Sequence, residues 1–248
     1  MEVHHHAHTA RKKWTHYFWE FLMLFLAVFC GFLAEYQLEH KIEKDREKQY
    51  IKSMVDDLKT DSIRIARIID LNKQQVSGLD SLLQNIYHKP YTDSSMRTLY
   101  YFHRKYSGPL NKMLFSKTTI SQLKNSGGFR LIRKRAAADS IVRYDIVSEY
   151  AEGQGESVDY SGKLLFELSV KIFDSEYLLA YNSTNLREIV TLDKKFTLLA
   201  NDESKIKEYA NLVIFKRDVI KFYIVQLSNL QNRIPGIIQF LKKEYHLK

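Results

Sequence analysis

The chain has few residues that interrupt helices, with three prolines and nine glycines among 248 residues. Long stretches therefore lack a helix breaker or a tight-turn residue, which argues against a sheet-rich fold with many turns. The single cysteine, Cys30, excludes an intramolecular disulfide. Hydrophobic residues make up 45% of the sequence, which is enough to bury a core. This composition predicts an all-α fold.

Sequence signatures of enzymes are also lacking. The chain contains no Walker loop, dinucleotide-binding fingerprint, nucleophile elbow or HExxH zinc-protease motif. Two pairs, Ser121 with Lys124 and Ser204 with Lys207, match the SxxK pattern, but the companion SDN and KTG motifs are missing. We therefore predict a non-enzymatic protein with no catalytic residue and no cofactor.

A histidine cluster near the N-terminus is the best candidate for metal chemistry. It comprises His4, His5, His6 and His8, and closely spaced imidazoles bind zinc, nickel or copper. A purification tag is an alternative interpretation. Because the cluster lies in a short tail without a rigid surrounding shell, we favour adventitious binding and assign no metal ligand.

The net charge is positive, at +9. Such an excess suits contact with anionic lipid or with an acidic partner, and it is equally compatible with a solvated surface. We expect no specific nucleic-acid binding.

An apolar stretch at residues 17–36 is the most informative part of the sequence. A helix of this length spans about 30 Å, which matches the hydrocarbon core of a bilayer. Aromatic residues flank the stretch at positions where they meet the headgroup regions, and Arg11, Lys12 and Lys13 form a basic flank before it. The aromatic residues are Trp14, Tyr17, Trp19 and Tyr36. This pattern predicts a transmembrane helix.

Two other interpretations of the same stretch remain open. The strictly uncharged run from Phe21 to Ala34 also suits a buried core helix or the apolar region of a signal peptide. Signal cleavage before Glu35 is disfavoured by Phe32, and lipid attachment at Cys30 is disfavoured by the large Phe29 before it. We favour an uncleaved single-pass anchor in the bacterial inner (plasma) membrane.

The membrane orientation follows from the flanking charges and tail length. Basic residues after the span slightly favour a cytoplasmic C-terminal domain, but long domains translocate largely regardless of charge. A short tail carrying three cations is a poor candidate for export. We therefore expect the C-terminal domain to be extracytoplasmic.

Four residues of the span are candidates for packing within the membrane. An ionised Glu20 is costly there unless it snorkels to the interface or finds a partner. Ala27, Gly31 and Ala34 place small residues four and three apart on one helical face, which allows close approach of a second helix. This spacing indicates a homo-oligomer or contact with another envelope membrane protein.

The chain divides into four predicted regions. These are a short His-rich basic tail at 1–16, the transmembrane helix at 17–36, a charged stalk at 37–50 and a helical bundle domain at 51–248. The stalk prediction rests on alternating acidic and basic residues, which support a solvated helix. The fold prediction is a transmembrane helix continuing into the stalk, followed by an antiparallel bundle of long helices.

Helix limits within the bundle follow from apolar spacing and stop signals. One helix runs from the membrane to about Tyr87, where His88-Lys89-Pro90 ends it. Its apolar stripe, with Ser62 and Asn72 allowed as polar members, comprises Ile51, Val55, Leu58, Ile65, Ile69, Val76, Leu79, Leu83 and Ile86.

Three shorter predictions concern the middle of the chain. Residues 93–95 cap a helix that reaches about Tyr106. Ser116 caps the next helix, and Gly127-Gly128 provides the left-handed residue that closes it. A further helix runs from Asp139 to about Tyr181, with a bend or interruption at the glycines of residues 153–155.

The last helix carries the clearest periodicity and begins after a cap at Asn201 or Asp202. Its heptad stripe indicates a bundle or coiled-coil seam, which Lys216 interrupts and in which Pro235-Gly236 causes a kink. The seam comprises Ile206, Val213, Ile220, Leu227, Ile234 and Leu241, with Tyr209, Tyr223, Leu230 and Ile237 three residues later.

The segment "YIKSMVDDLKTD" directly after the span, followed by "TISQLKNSGGFRLI" and residues 141–144, resembles a family of uncharacterised single-span membrane proteins of Gram-negative bacteria. Ser126, Gly127, Leu131 and Ile132 match its serine-glycine turn before a leucine-isoleucine pair, while Gly128 lengthens the turn. The resemblance implies the architecture and no catalytic residue.

Two functional hypotheses follow. The first is a membrane-anchored interaction or scaffold protein that binds itself or another envelope protein through the stalk and the C-terminal seam. The alternative is a sensor that binds a small ligand between its helices and signals through a partner.

Overall fold

A computed structural model describes residues 14–108, 111–125, 127–179 and 194–247. These residues form helices connected by turns and loops, with no strand among them, which confirms the all-α prediction. The elements are α1 (Trp14–Tyr87), α2 (Asp93–Tyr106), α3 (Thr118–Asn125), a 3₁₀ helix (Gly128–Leu131), α4 (Arg135–Ser169), α5 (Ser175–Leu179) and α6 (Glu203–Glu244).

The chain divides into two compact units, residues 1–49 and residues 50–248. The described part of the first unit is the N-terminal portion of α1. It includes an 18-residue window with a mean hydropathy of 2.0 and no buried residue. By length and composition, α1 is therefore able to cross a membrane, a criterion that signal sequences also meet.

The second unit begins with the portion of α1 from residue 50 to Tyr87. Its core-facing stripe follows the predicted spacing, because Ile51, Leu58, Ile65 and most other predicted members are buried. The prediction placed Ser62 in the stripe, whereas the structure buries Asp61 completely at that turn. The end of α1 at Tyr87 agrees with the predicted stop.

The caps of α2 and α3 differ from the predictions by one or two residues. The N-cap of α2 is Thr92, whose hydroxyl accepts a hydrogen bond from the Ser95 backbone N–H. Since α3 begins at Thr118, Ser116 lies too early to precede its first residue directly. Gly127 has a φ of 65°, which confirms a left-handed residue after α3.

The long helix α4 corrects both predicted limits. It begins at Arg135, four residues before Asp139, and it ends at Ser169 rather than near Tyr181. The glycines at 153 and 155 do not interrupt it, because most of the flanking residues favour helix and α4 packs along α6.

Helix α6 starts at the predicted cap, where the Asp202 carboxylate accepts a hydrogen bond from the Ser204 backbone N–H at 2.9 Å. It continues through Pro235 to Glu244. All six heptad residues of the seam are buried within the second unit. The heptad residues of the seam therefore pack in this chain's own core.

Candidate functional site

The four packing candidates of the predicted span all lie on α1, and all four residues are exposed. The Glu20 carboxylate lies near the ring of His16 one turn earlier, with 3.3 Å between Oε1 and Nε2. A side chain at Gly31 would meet nothing within 4 Å, so the surface formed by Ala27, Gly31 and Ala34 is open. The histidine cluster at residues 4–8 lies outside the described residues, among which no group of three or more metal-ligating side chains occurs.

Both lysines of the SxxK patterns have carboxylate partners. Lys124 pairs with Asp145 at 2.5 Å and with Glu149 at 3.0 Å. Lys207 pairs with Glu203 at 3.1 Å. Each ammonium is therefore engaged with carboxylates, and neither lysine is poised as a base for its serine.

A cavity of about 670 Å³ in the second unit is the best candidate binding site. It lies among the C-terminal end of α2, the C-terminal half of α4, α5 and the N-terminal half of α6. Its volume is within the range of small-molecule sites. The apolar part of its wall comprises Val158, Phe166, Val170 and Leu178.

Lys216 places a cation in the wall of this cavity. Its side chain is completely buried, and its ammonium donates hydrogen bonds to the backbone carbonyls of Ser107, at 2.7 Å, and Gly108. Desolvation lowers the pKa of Lys216 from 10.5 to about 8, while the charge of Asp159 opposes this effect. The ammonium is therefore still mostly protonated at pH 7.

A glycine on α4 makes room for this ammonium. A Cβ atom at Gly162 would lie 3.3 Å from Lys216 Nζ, which is tighter than ordinary contact. Glycine in the interior of a helix costs about 1 kcal/mol relative to alanine. The glycine therefore lowers the stability of α4 at the point where Lys216 approaches it.

His103 forms the polar end of the cavity near α2. Its ring stacks on Phe173 with 3.8 Å between centroids, and its Nδ1 lies 2.8 Å from the hydroxyl oxygen of Tyr209. Burial lowers the pKa of His103 from 6.5 to about 3, so the imidazole is neutral at pH 7. Nδ1 also lies 2.9 Å from the hydroxyl oxygen of Ser107, which donates a hydrogen bond to the His103 backbone carbonyl.

Sequence reasoning identified Lys216 solely as a break in the α6 seam, and it did not identify the cavity. The available signal was a lysine at a position flanked by buried heptad residues. The partners of that lysine, Ser107 and Gly108, lie more than one hundred residues earlier, so only the folded chain brings them together.

Comparison with known proteins identifies no family for this chain. No family model, curated protein or solved structure matches the chain.

Proposed function

We propose that this protein is a non-enzymatic, single-pass membrane protein of the bacterial envelope that serves as an interaction scaffold. The observation that carries the proposal is the exposed apolar window of α1. The core helix of a soluble protein can have the same length and composition, but most of its residues are buried. No residue of this window is buried. Lipid is the solvent that accepts such a surface.

The proposed architecture retains the regions expected from the sequence. Residues 17–36 cross the inner membrane, residues 37–50 form a charged stalk and residues 51–248 form an extracytoplasmic antiparallel bundle. The sequence resemblance to uncharacterised single-span proteins of Gram-negative bacteria supports this proposed architecture.

The interaction surface of the scaffold must differ from the α6 seam, which the core occupies. Phe215 and Phe222 lie seven residues apart on α6, and each is 45% exposed. They line a groove together with Gln154 and Ser157 of α4. Exposed aromatic residues beside polar ones are typical of protein interaction surfaces. We therefore assign this groove, named here the α4/α6 groove, to a second copy of the chain or to another envelope protein.

Affinity purification of the full-length protein from detergent-solubilised membranes tests this assignment. We expect the wild type to recover an untagged second copy or an envelope partner, identified by mass spectrometry. Phe215→Ser/Phe222→Ser is expected to reduce that recovery about tenfold or more, since aromatic residues dominate interface energetics. Ile63→Ser, which changes an exposed apolar residue of α1, serves as the control and retains the partner. Recovery of the wild type as a lone monomer would contradict the scaffold proposal.

A second candidate function is a sensor that binds a small ligand and signals through a partner protein. The cavity around Lys216 favours it, because a site of this volume lies among four helices and a change there can alter their packing. Such a sensor is expected to change its partner recovery when the cavity is filled.

A further inference from the structure

We propose that the cavity around Lys216 binds an organic anion with an apolar body, and that the acidic group of the ligand pairs with the Lys216 ammonium. This inference deepens the sensor candidate by naming the chemical class of its ligand. It does not depend on the membrane anchor or on the α4/α6 groove.

The first argument is the incomplete compensation of a buried charge. Lys216 is completely buried, and its two hydrogen-bond acceptors are neutral carbonyls. Among the described residues, no carboxylate forms an ion pair with it. Asp159, the acidic residue in the cavity wall, pairs with Lys112. A buried charge is costly without a charged partner, and an anionic ligand supplies one.

The second argument is access to the ammonium. Lys216 has three N–H donors, and the carbonyls of Ser107 and Gly108 use two. Gly162, which also lines the cavity, lies against Nζ where any side chain would crowd it. Because the Lys216 side chain is completely buried, an acceptor in the cavity reaches the ammonium once that side chain shifts towards the cavity, where no side chain at Gly162 obstructs it.

The third argument is the character of the remaining wall. Phe166 and Val170, which border the cavity, are 66% and 52% exposed. An apolar ligand body covering them would remove this surface from water. Arg104 and Lys163 also border the cavity, so its wall carries more cations than anions. The wall thus fits a molecule with an acidic group and an apolar chain or ring.

Octanoate is a suitable probe, with 1-octanol and octylammonium as ligands of matched length. Binding is measured by calorimetry on the full-length protein in phosphatidylcholine nanodiscs, with empty nanodiscs as the blank. We expect octanoate to bind about tenfold or more tightly than octylammonium, because a charge-assisted hydrogen bond favours the anion. Equal binding of these two ligands by the wild type would overturn the proposal without any variant.

Two variants locate the binding. Lys216→Met removes the charge and keeps an apolar side chain, so octanoate affinity should fall about tenfold or more while 1-octanol affinity changes less than about twofold. Gly162→Ala should weaken octanoate through the Cβ contact with Nζ. Gly153→Ala is its control on the same helix, since a Cβ there meets nothing within 4 Å. Undiminished octanoate binding in a folded Lys216→Met or Gly162→Ala would also overturn the proposal.

The signalling role and the ligand-binding site are tested by different outcomes. If octanoate binds with the expected discrimination but leaves partner recovery unchanged, the cavity is a ligand site and the signalling role is wrong. If octanoate does not bind, the ligand class is wrong whatever partner is recovered.

Discussion

Asp61→Ala is expected to lower the free energy of unfolding by about 2 to 5 kcal/mol, because one buried and one partly buried donor lose their acceptor. The Asp61 side chain is completely buried on α1. Its carboxylate accepts hydrogen bonds from the Ser116 backbone N–H, at 2.9 and 3.2 Å, and from the Tyr144 hydroxyl at 2.5 Å. The residue therefore joins α1 to α4 and to the segment before α3.

Urea unfolding of the full-length protein in detergent, followed by far-ultraviolet circular dichroism, measures this effect. Asp56→Ala is the matched control, since Asp56 is an exposed carboxylate that pairs with Lys59 one turn away. Its expected effect is at most about 0.5 kcal/mol. An Asp61→Ala variant as stable as Asp56→Ala would show that the Asp61 hydrogen bonds contribute nothing to the fold.

Acidification is expected to destabilise the protein by as much as about 5 kcal/mol through His103 alone, if its pKa falls from 6.5 unfolded to about 3 folded. Between these two pH values the unfolded chain binds a proton that the folded chain does not. Stability therefore falls as the pH is lowered from about 6.5 towards 3. The physical cause is the burial of a neutral imidazole against Phe173 and Tyr209.

Unfolding measured at pH 7 and pH 4 tests this account. His103→Phe/Tyr209→Phe removes both members of the hydrogen bond while keeping aromatic rings, so it should lose the part of the acid sensitivity that His103 supplies. His88→Asn, at an exposed histidine, should keep the wild-type profile. Carboxylates such as Asp93, whose pKa is lowered by a hydrogen bond from Arg97, contribute equally in all three proteins. An unchanged profile in the double variant would exclude His103 as the titrating group.

The helices were predictable from the sequence where one local signal decides them. The stop after Tyr87, the left-handed Gly127 and the cap at Asp202 each depend on a few neighbouring residues, and the structure has all three. The limits of α4 were less predictable, because residues 135–138 carry no capping signal and its length depends on packing along α6.

Tertiary features required the folded chain. From the sequence alone, Asp61 resembles a solvent-exposed residue of a helix. Its burial depends on hydrogen-bond donors from Ser116 and Tyr144, which are distant in sequence. The cavity likewise depends on the meeting of Lys216, Gly162 and the end of α2. Periodicity identifies which face of a helix is buried, but it does not identify which polar groups meet inside the core.

The proposal that lipid surrounds the apolar part of α1 is tested most directly by the chain's one cysteine. Cys30 lies in that part of α1 and is exposed in the structure. A thiol reacts as the thiolate, which requires water, so a charged maleimide should not label Cys30 in lipid. Ser53→Cys in a Cys30→Ala background is the control, because residue 53 is exposed outside the predicted span.

The measurement is labelling by this maleimide in membrane vesicles opened by freezing and thawing, before and after addition of sodium dodecyl sulfate. The account predicts that Cys30 remains unlabelled until the detergent is added, whereas the cysteine at position 53 is labelled throughout. Labelling of Cys30 in the untreated vesicles at the rate of position 53 would contradict it.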